Sequence, residues 1–284
     1  MIRIINGVAY ESKNLDTINI QALDLGNGHL EVCGQRAKSW EELDWSPLAV
    51  GHYLEALERH REETREEREA LSLKMAAKRA ATRVRRLCKV MGADTMLTGT
   101  YKANQLDLTL CKRHVKEFIR RVTRTIPSFR AVVAFEQQER GAWHFHLACE
   151  KVPAALRSSG VKIKSYEFLR RIWRSVVGDL GGNIDVSQGE NKKRSPARIA
   201  SYLSKYLMKA FAEGAKWSNR WTRYGAIEVP QPLKLGQYPS MRHAVEACYH
   251  LIDDQAQVVD RFLSRWHDVF FLVVENQFIS RLPI

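Results

Sequence analysis

Two apolar runs of strand length, residues 131–138 and 143–150, are separated by a short segment containing Gly141, and this pairing constrains the chain more than any other feature. They read as an antiparallel hairpin with a three-residue loop, Arg140-Gly141-Ala142, in which Gly141 takes positive φ. Side chains alternate along a strand, so His144 and His146 share one face while Phe145 turns to the other. That loop places Gln138 opposite His144 and Glu136 opposite His146, and cross-strand partners point the same way. Glu136, His144 and His146 are therefore the expected ligand set. A slip of one residue would turn Glu136 away and leave Gln137 as the alternative. Two imidazoles and a carboxylate suit a divalent metal, Mg²⁺ or Mn²⁺, with positions left open for phosphate oxygen.

Further along, Ser195-Pro196 reads as an N-cap followed by proline in the first helical turn. Ile199, Leu203, Leu207, Ala210 and Phe211 then form an apolar stripe at helical spacing. Tyr202 and Tyr206 lie one turn apart on this helix, Tyr202 on the side of Lys205 and Lys209, Tyr206 nearer the stripe. A phenol, with a reference pKa of about 10, attacks poorly at neutral pH unless a cation or a metal-polarised target assists it. Lys205 and Lys209 are the candidate cations and Tyr202 is the first choice of nucleophile. Tyr206 reads equally as a second nucleophile or as a half-buried core tyrosine.

Residues 135–147, with Glu136 ahead of His144-Phe145-His146, resemble the second motif of the HUH endonucleases, specifically of rolling-circle replication initiators of phage and plasmid type. Residues 202–209 resemble their tyrosine motif in its two-tyrosine form, and Met96-Leu97-Thr98-Gly99-Thr100-Tyr101 stands where that family carries its first motif. The resemblance covers roughly residues 80–212. It implies metal-dependent, site-specific nicking of one DNA strand by a tyrosine. The intermediate would be a 5′-phosphotyrosine, the freed 3′-hydroxyl a primer, and the strand would later be transferred and resealed. It also implies single-stranded or supercoiled origin DNA as substrate, with host helicase, DNA polymerase and single-strand-binding protein as partners. Alternatives are a plasmid relaxase or single-stranded-DNA transposase of the same superfamily, and a non-catalytic nucleic-acid-binding regulator. Relaxases typically place the tyrosine before the histidines, the reverse of the order here. A closed zinc site with Cys149 is disfavoured, because alternation turns Cys149 away from His146.

Charge and composition agree with a polyanionic partner. The 284 residues hold 45 Lys and Arg against 32 Asp and Glu, a formal charge of +13. No G-x-x-x-x-G-K-[ST] or G-x-G-x-x-G occurs, so no ATP-cradling loop is expected and a helicase must be borrowed. The 5 cysteines are scattered without a C-x-x-C pair, which argues against a disulfide framework or a zinc ribbon. No membrane span or signal-peptide core is expected, and the cytoplasm of a bacterial host is the expected location.

The fold class expected is α+β: a central antiparallel sheet with helices, a ferredoxin/RRM-like HUH core, with helical N- and C-terminal extensions. Residues 1–47 read as short strands or loops of unassigned role, and 48–92 as a charged, then basic, helical region. The endonuclease domain is assigned to 93–212. Residues 213–284 are expected to be a basic-aromatic segment and a helical tail, with helical patterning from 241 to 266. Candidate DNA contacts are Arg83, Arg85 and Arg86 in the basic stretch, Arg140 in the hairpin loop, and Arg220 and Trp221 among the aromatics of 216–224.

Overall fold

The computed structural model describes residues 1–158, 160–187, 196–213, 220–252 and 256–275. The chain divides into two compact units, Met1–Leu71 with Pro230–Ile284, and Ser72–Val229.

The first unit begins with β1 (Ile2–Ile5), β2 (Val8–Gly26) and β3 (His29–Leu43), followed by α1 (Pro47–Glu63) and the start of α2 (Arg65–Met91). Residues 1–47 are thus two long strands and a short one, not the short strands or loops expected from sequence. Two Asn-Gly turns build them. Asn6-Gly7 joins β1 to β2 and Asn27-Gly28 joins β2 to β3, with positive φ at all four residues. That conformation matches the twist of paired strands, and Asn and Gly reach it at least cost. Ser46 caps α1 by accepting from the Ala49 amide, and the chain breaks at Thr64, whose hydroxyl donates to the His60 carbonyl. The helical tail expected from 241 to 266 is also corrected. Its helix stops at His250, and the chain returns as strands because Val258, Val259 and Phe262 pair edge-on with the apolar run that follows.

The second unit carries β4 (Thr95–Tyr101), α3 (Leu108–Thr125), β5 (Ala131–Gln137), β6 (Trp143–Cys149), β7 (Ala155–Ser158), β8 (Val161–Lys164), α4 (Ser165–Val177), β9 (Gly182–Ser187), α5 (Pro196–Glu213) and β10 (Trp221–Tyr224). The first unit resumes with β11 (Leu233–Tyr238), α6 (Met241–His250), β12 (Gln257–Leu263) and β13 (Val269–Glu275). There the antiparallel sheet runs β1-β2-β3-β13-β12, with β11 also on β2, and α6 closes a core around Ile18, Ile20, Phe270 and Leu272.

The second unit's sheet is antiparallel in the order β10-β5-β6-β4-β9. The α+β class with an antiparallel sheet backed by helices is as expected. Period-2 alternation divides its side chains between two cores. Leu97, Val133, Phe135, Phe145 and Leu147 pack under α3 and α4 with Phe118 and Trp173. Met96, Val132, Ala134 and Ala148 pack on the other face against Val84, Leu87 and Met91 of α2 and Ile199, Leu203 and Leu207 of α5. Each fully buried Val, Leu, Ile, Phe or Met among them contributes about 1.5–3 kcal/mol. The Asp107 carboxylate starts α3 by accepting from the amides of Thr109 and Leu110 at 2.7 and 3.2 Å.

Candidate metal centre and tyrosine helix

The β5–β6 turn sets the site. The Gln138 amide donates to the Ala142 carbonyl, the Gly141 amide donates to the Gln138 carbonyl, and Gly141 has φ of 84°. The loop is therefore Glu139-Arg140-Gly141, with the glycine in its last, left-handed position, and Ala142 belongs to the ladder. This corrects the expected loop by one residue on each side. Glu136 pairs with His144, and Ala134 pairs with His146. The correction amounts to a two-residue slip, and an even slip preserves the faces. Glu136, His144 and His146 thus still project together, onto the side covered by α5. Gln137 points the other way, its amide donating to the Gly141 carbonyl, so it is not a ligand. Cys149 lies in the core under α3 and α4, and burial pushes its thiol well up.

The three ligand side chains are buried. Glu136 Oε2 stands 3.1 Å from His144 Nε2 and 3.2 Å from His146 Nε2, and the two Nε2 atoms are 3.0 Å apart. Donors bound side by side to an octahedral ion at about 2.1 Å are about 3.0 Å apart, whereas a tetrahedral ion at that bond length spreads them to about 3.4 Å. The donor set fits a divalent ion. Burial pushes both imidazoles down, His146 to about 4, so both are neutral near pH 7 and present a lone pair. A carboxylate buried beside neutral rings needs positive charge from elsewhere.

Residues outside the ligand set orient it. His146 Nδ1 lies 3.1 Å from the hydroxyl of Thr98, its register partner on β4. With Nδ1 protonated, that bond fixes the tautomer that frees Nε2. His144 Nδ1 is buried without a hydrogen-bond partner among the described residues. Lys209 Nζ contacts the second oxygen of Glu136, Oε1, at 3.0 Å.

The helix α5 brings both tyrosines over the histidines. Tyr206 stacks on the His146 ring at 3.9 Å between centroids and 21° between planes, while Tyr202 meets the same ring edge-on at 6.0 Å. The Tyr206 hydroxyl donates to the Tyr202 oxygen. Burial and this contact raise the Tyr206 phenol well above its ordinary value. Tyr202 is 41% exposed and Tyr206 is half-buried. Lys205 is exposed on the same helix, and the ion pair to the cluster comes from Lys209. Ser195 and the side chains of Ala210 and Phe211 lie outside the described residues.

The expected DNA contacts separate by burial. Arg83 and Arg140 are exposed, Arg140 close enough to His144 to lower its proton affinity. Arg85 and Arg86 are half-buried on α2. Arg220 is 4% exposed, with its guanidinium 4.7 Å above the Trp143 ring, on the sheet face opposite the histidines. Trp221 opens β10, pairs with Ala134 and packs against the second core. Both are corrected to structural roles, because edge strand β10 draws them into the sheet. Residues 214–219, which hold the rest of the expected stacking segment, lie outside the described residues.

Among the described residues no helix is long and apolar enough to cross a membrane. Comparison of the chain with curated proteins and with solved structures gives no match. A family model of replication-associated proteins, the ORF2 type, matches residues 94–211, the stretch from β4 into α5. The part of the chain that assembles the Glu-His-His cluster under two tyrosines is thus similar to a family of replication-associated proteins, which supports a replication initiator.

Proposed function

We propose that this protein is a rolling-circle replication initiator of the two-tyrosine HUH type, which nicks one strand of origin DNA and transfers it through a 5′-phosphotyrosine. The observation that carries this reading is the stacking of Tyr206 on His146 beside Tyr202, which puts two phenols over one Glu136-His144-His146 cluster.

His144, His146 and Glu136 would hold the divalent ion. Mg²⁺ or Mn²⁺ bound there would polarise the scissile phosphate and stabilise charge developing on it. Thr98 holds His146 in the required tautomer. Tyr202 is the first nucleophile, since it is the more exposed phenol and its oxygen already accepts a hydrogen bond from Tyr206. Its oxygen bonds to phosphorus as the bond from phosphorus to the 3′-oxygen breaks. The phenolic proton is lost, and a proton ends on the departing 3′-hydroxyl. Tyr206, one turn on, is placed to attack the junction formed later. The phosphodiester energy is kept in the phosphotyrosine, so the chain's lack of an ATP-binding loop is consistent with the chemistry.

The test uses labelled circular single-stranded and supercoiled DNA bearing candidate origins, with Mn²⁺ or Mg²⁺, with and without EDTA. Wild type, Tyr202→Phe, Tyr206→Phe and the double variant are compared. A metal-dependent covalent adduct lost in the double variant is expected, with Tyr202→Phe the more impaired in the first cut. Tight DNA binding with no adduct on any substrate would sink the nuclease reading in favour of a non-catalytic binder.

A further inference from the structure

We propose that Lys209 is a positioning residue that restricts Glu136 to one-oxygen ligation and so makes the cluster selective for small six-coordinate ions over Ca²⁺. The inference rests on the reading that Glu136, His144 and His146 hold a divalent ion.

Glu136 divides its two oxygens between different partners. Oε2 faces both histidine Nε2 atoms at 3.1 and 3.2 Å, whereas Oε1 is taken by the Lys209 ammonium at 3.0 Å. An ammonium on Oε1 competes with any cation that would use both oxygens. Ca²⁺ favours six to eight oxygen ligands and often a bidentate carboxylate; Mg²⁺ demands near-octahedral geometry and usually takes carboxylates one oxygen at a time. Removing Oε1 from the ligand set therefore costs Ca²⁺ a donor and costs a small ion nothing.

The arrangement also joins two elements. Glu136 is on β5 and Lys209 is on α5, seven residues after Tyr202 and three after Tyr206, on the same side of the helix. The side chain that fixes the carboxylate thus belongs to the helix that carries the tyrosines. Glu136 is buried, its side chain 7% exposed, while that of Lys209 is 43% exposed, so the lysine reaches in from the rim. A substitution there leaves the packed side of α5 intact. Lys205, one turn earlier, is the cation left to face solvent and a DNA phosphate.

Binding of Mn²⁺, Mg²⁺ and Ca²⁺ to the full chain is measured by calorimetry, and Mn²⁺ also by electron paramagnetic resonance, without DNA. The comparison covers wild type, Lys209→Met, Lys209→Arg and the double variant His144→Ala/His146→Ala. Wild type is expected to prefer Mn²⁺ to Ca²⁺. Lys209→Met should lower that preference by about tenfold or more, the scale of lost outer-shell contacts. Lys209→Arg, which keeps an N–H for Oε1, should largely restore it. A lysine acting only as a nearby charge would change all three affinities by one common factor; an unchanged Mn²⁺/Ca²⁺ ratio in Lys209→Met therefore overturns the proposal while leaving the metal site standing. Absence of ion binding by wild type, or equal binding by the double histidine variant, overturns the metal reading and this proposal with it.

Discussion

At the scale of single residues, the site depends on groups distant in sequence that no local pattern marks. Thr98 is one of them. It was legible only as part of a strand in the position of the first motif, and its role follows from the β4–β6 register that sets it beside His146. Replacing it by valine keeps the shape and removes the oxygen. We predict that Thr98→Val weakens Mn²⁺ binding about tenfold, while Thr98→Ser does not. The same titration carried across pH tests the burial of His146. A ligand imidazole must be deprotonated, and affinity is lost as pH falls through its folded-state pKa. Because that value is pushed down to about 4, and His144 is lowered as well, affinity should stay level from pH 8 to about 6 and decline only below. A decline already centred on about pH 6.5, the ordinary imidazole value, would contradict the burial.

At the scale of elements, alternation was legible and register was not. The faces of β5 and β6 follow from a period of two, which is why a two-residue error in pairing still delivered the right three ligands. What fixes the true register is the glycine's need for the last loop position. A second glycine acts across strands. A Cβ on Gly99 would lie 2.0 Å from the ring of Phe145, the residue between the two histidines, and Phe145 is in turn packed against Trp173. We predict that Gly99→Ala destabilises the protein by about 1–3 kcal/mol in chemical denaturation, as overpacking does. It should also weaken metal binding, because Phe145 cannot move without carrying its neighbours along β6. Unchanged stability would show that the ring has room to shift. The Asn-Gly turns at Asn6-Gly7 and Asn27-Gly28 were present in the sequence and predict hairpins, but the long polar stretches of β2 and β3 hid them among apparent loops.

At the scale of the whole molecule, the excess of 45 basic over 32 acidic residues says that a polyanion is bound but not which cations touch it. Burial sorts them. Arg83 is exposed, whereas Arg220 is 4% exposed over Trp143. We predict that Arg83→Ala reduces the salt dependence of single-strand binding by about 0.7 in the log–log slope, one phosphate contact, while Arg220→Ala lowers stability and leaves that slope unchanged. Equal slopes for wild type and Arg83→Ala would remove the basic stretch of α2 from the interface. The sequence by itself determined which side chains share a strand face or a helix side, because backbone periodicity is local: His144 with His146, Tyr202 with Tyr206, and the apolar stripes beneath them. Tertiary structure alone decided the contacts that join distant segments, because side-chain reach across a sheet or between a helix and a strand depends on register and packing. Those contacts are Thr98 on His146, Lys209 on Glu136, Tyr206 over His146, and the sheet that β2 and β3 build with β13 from the far end of the chain.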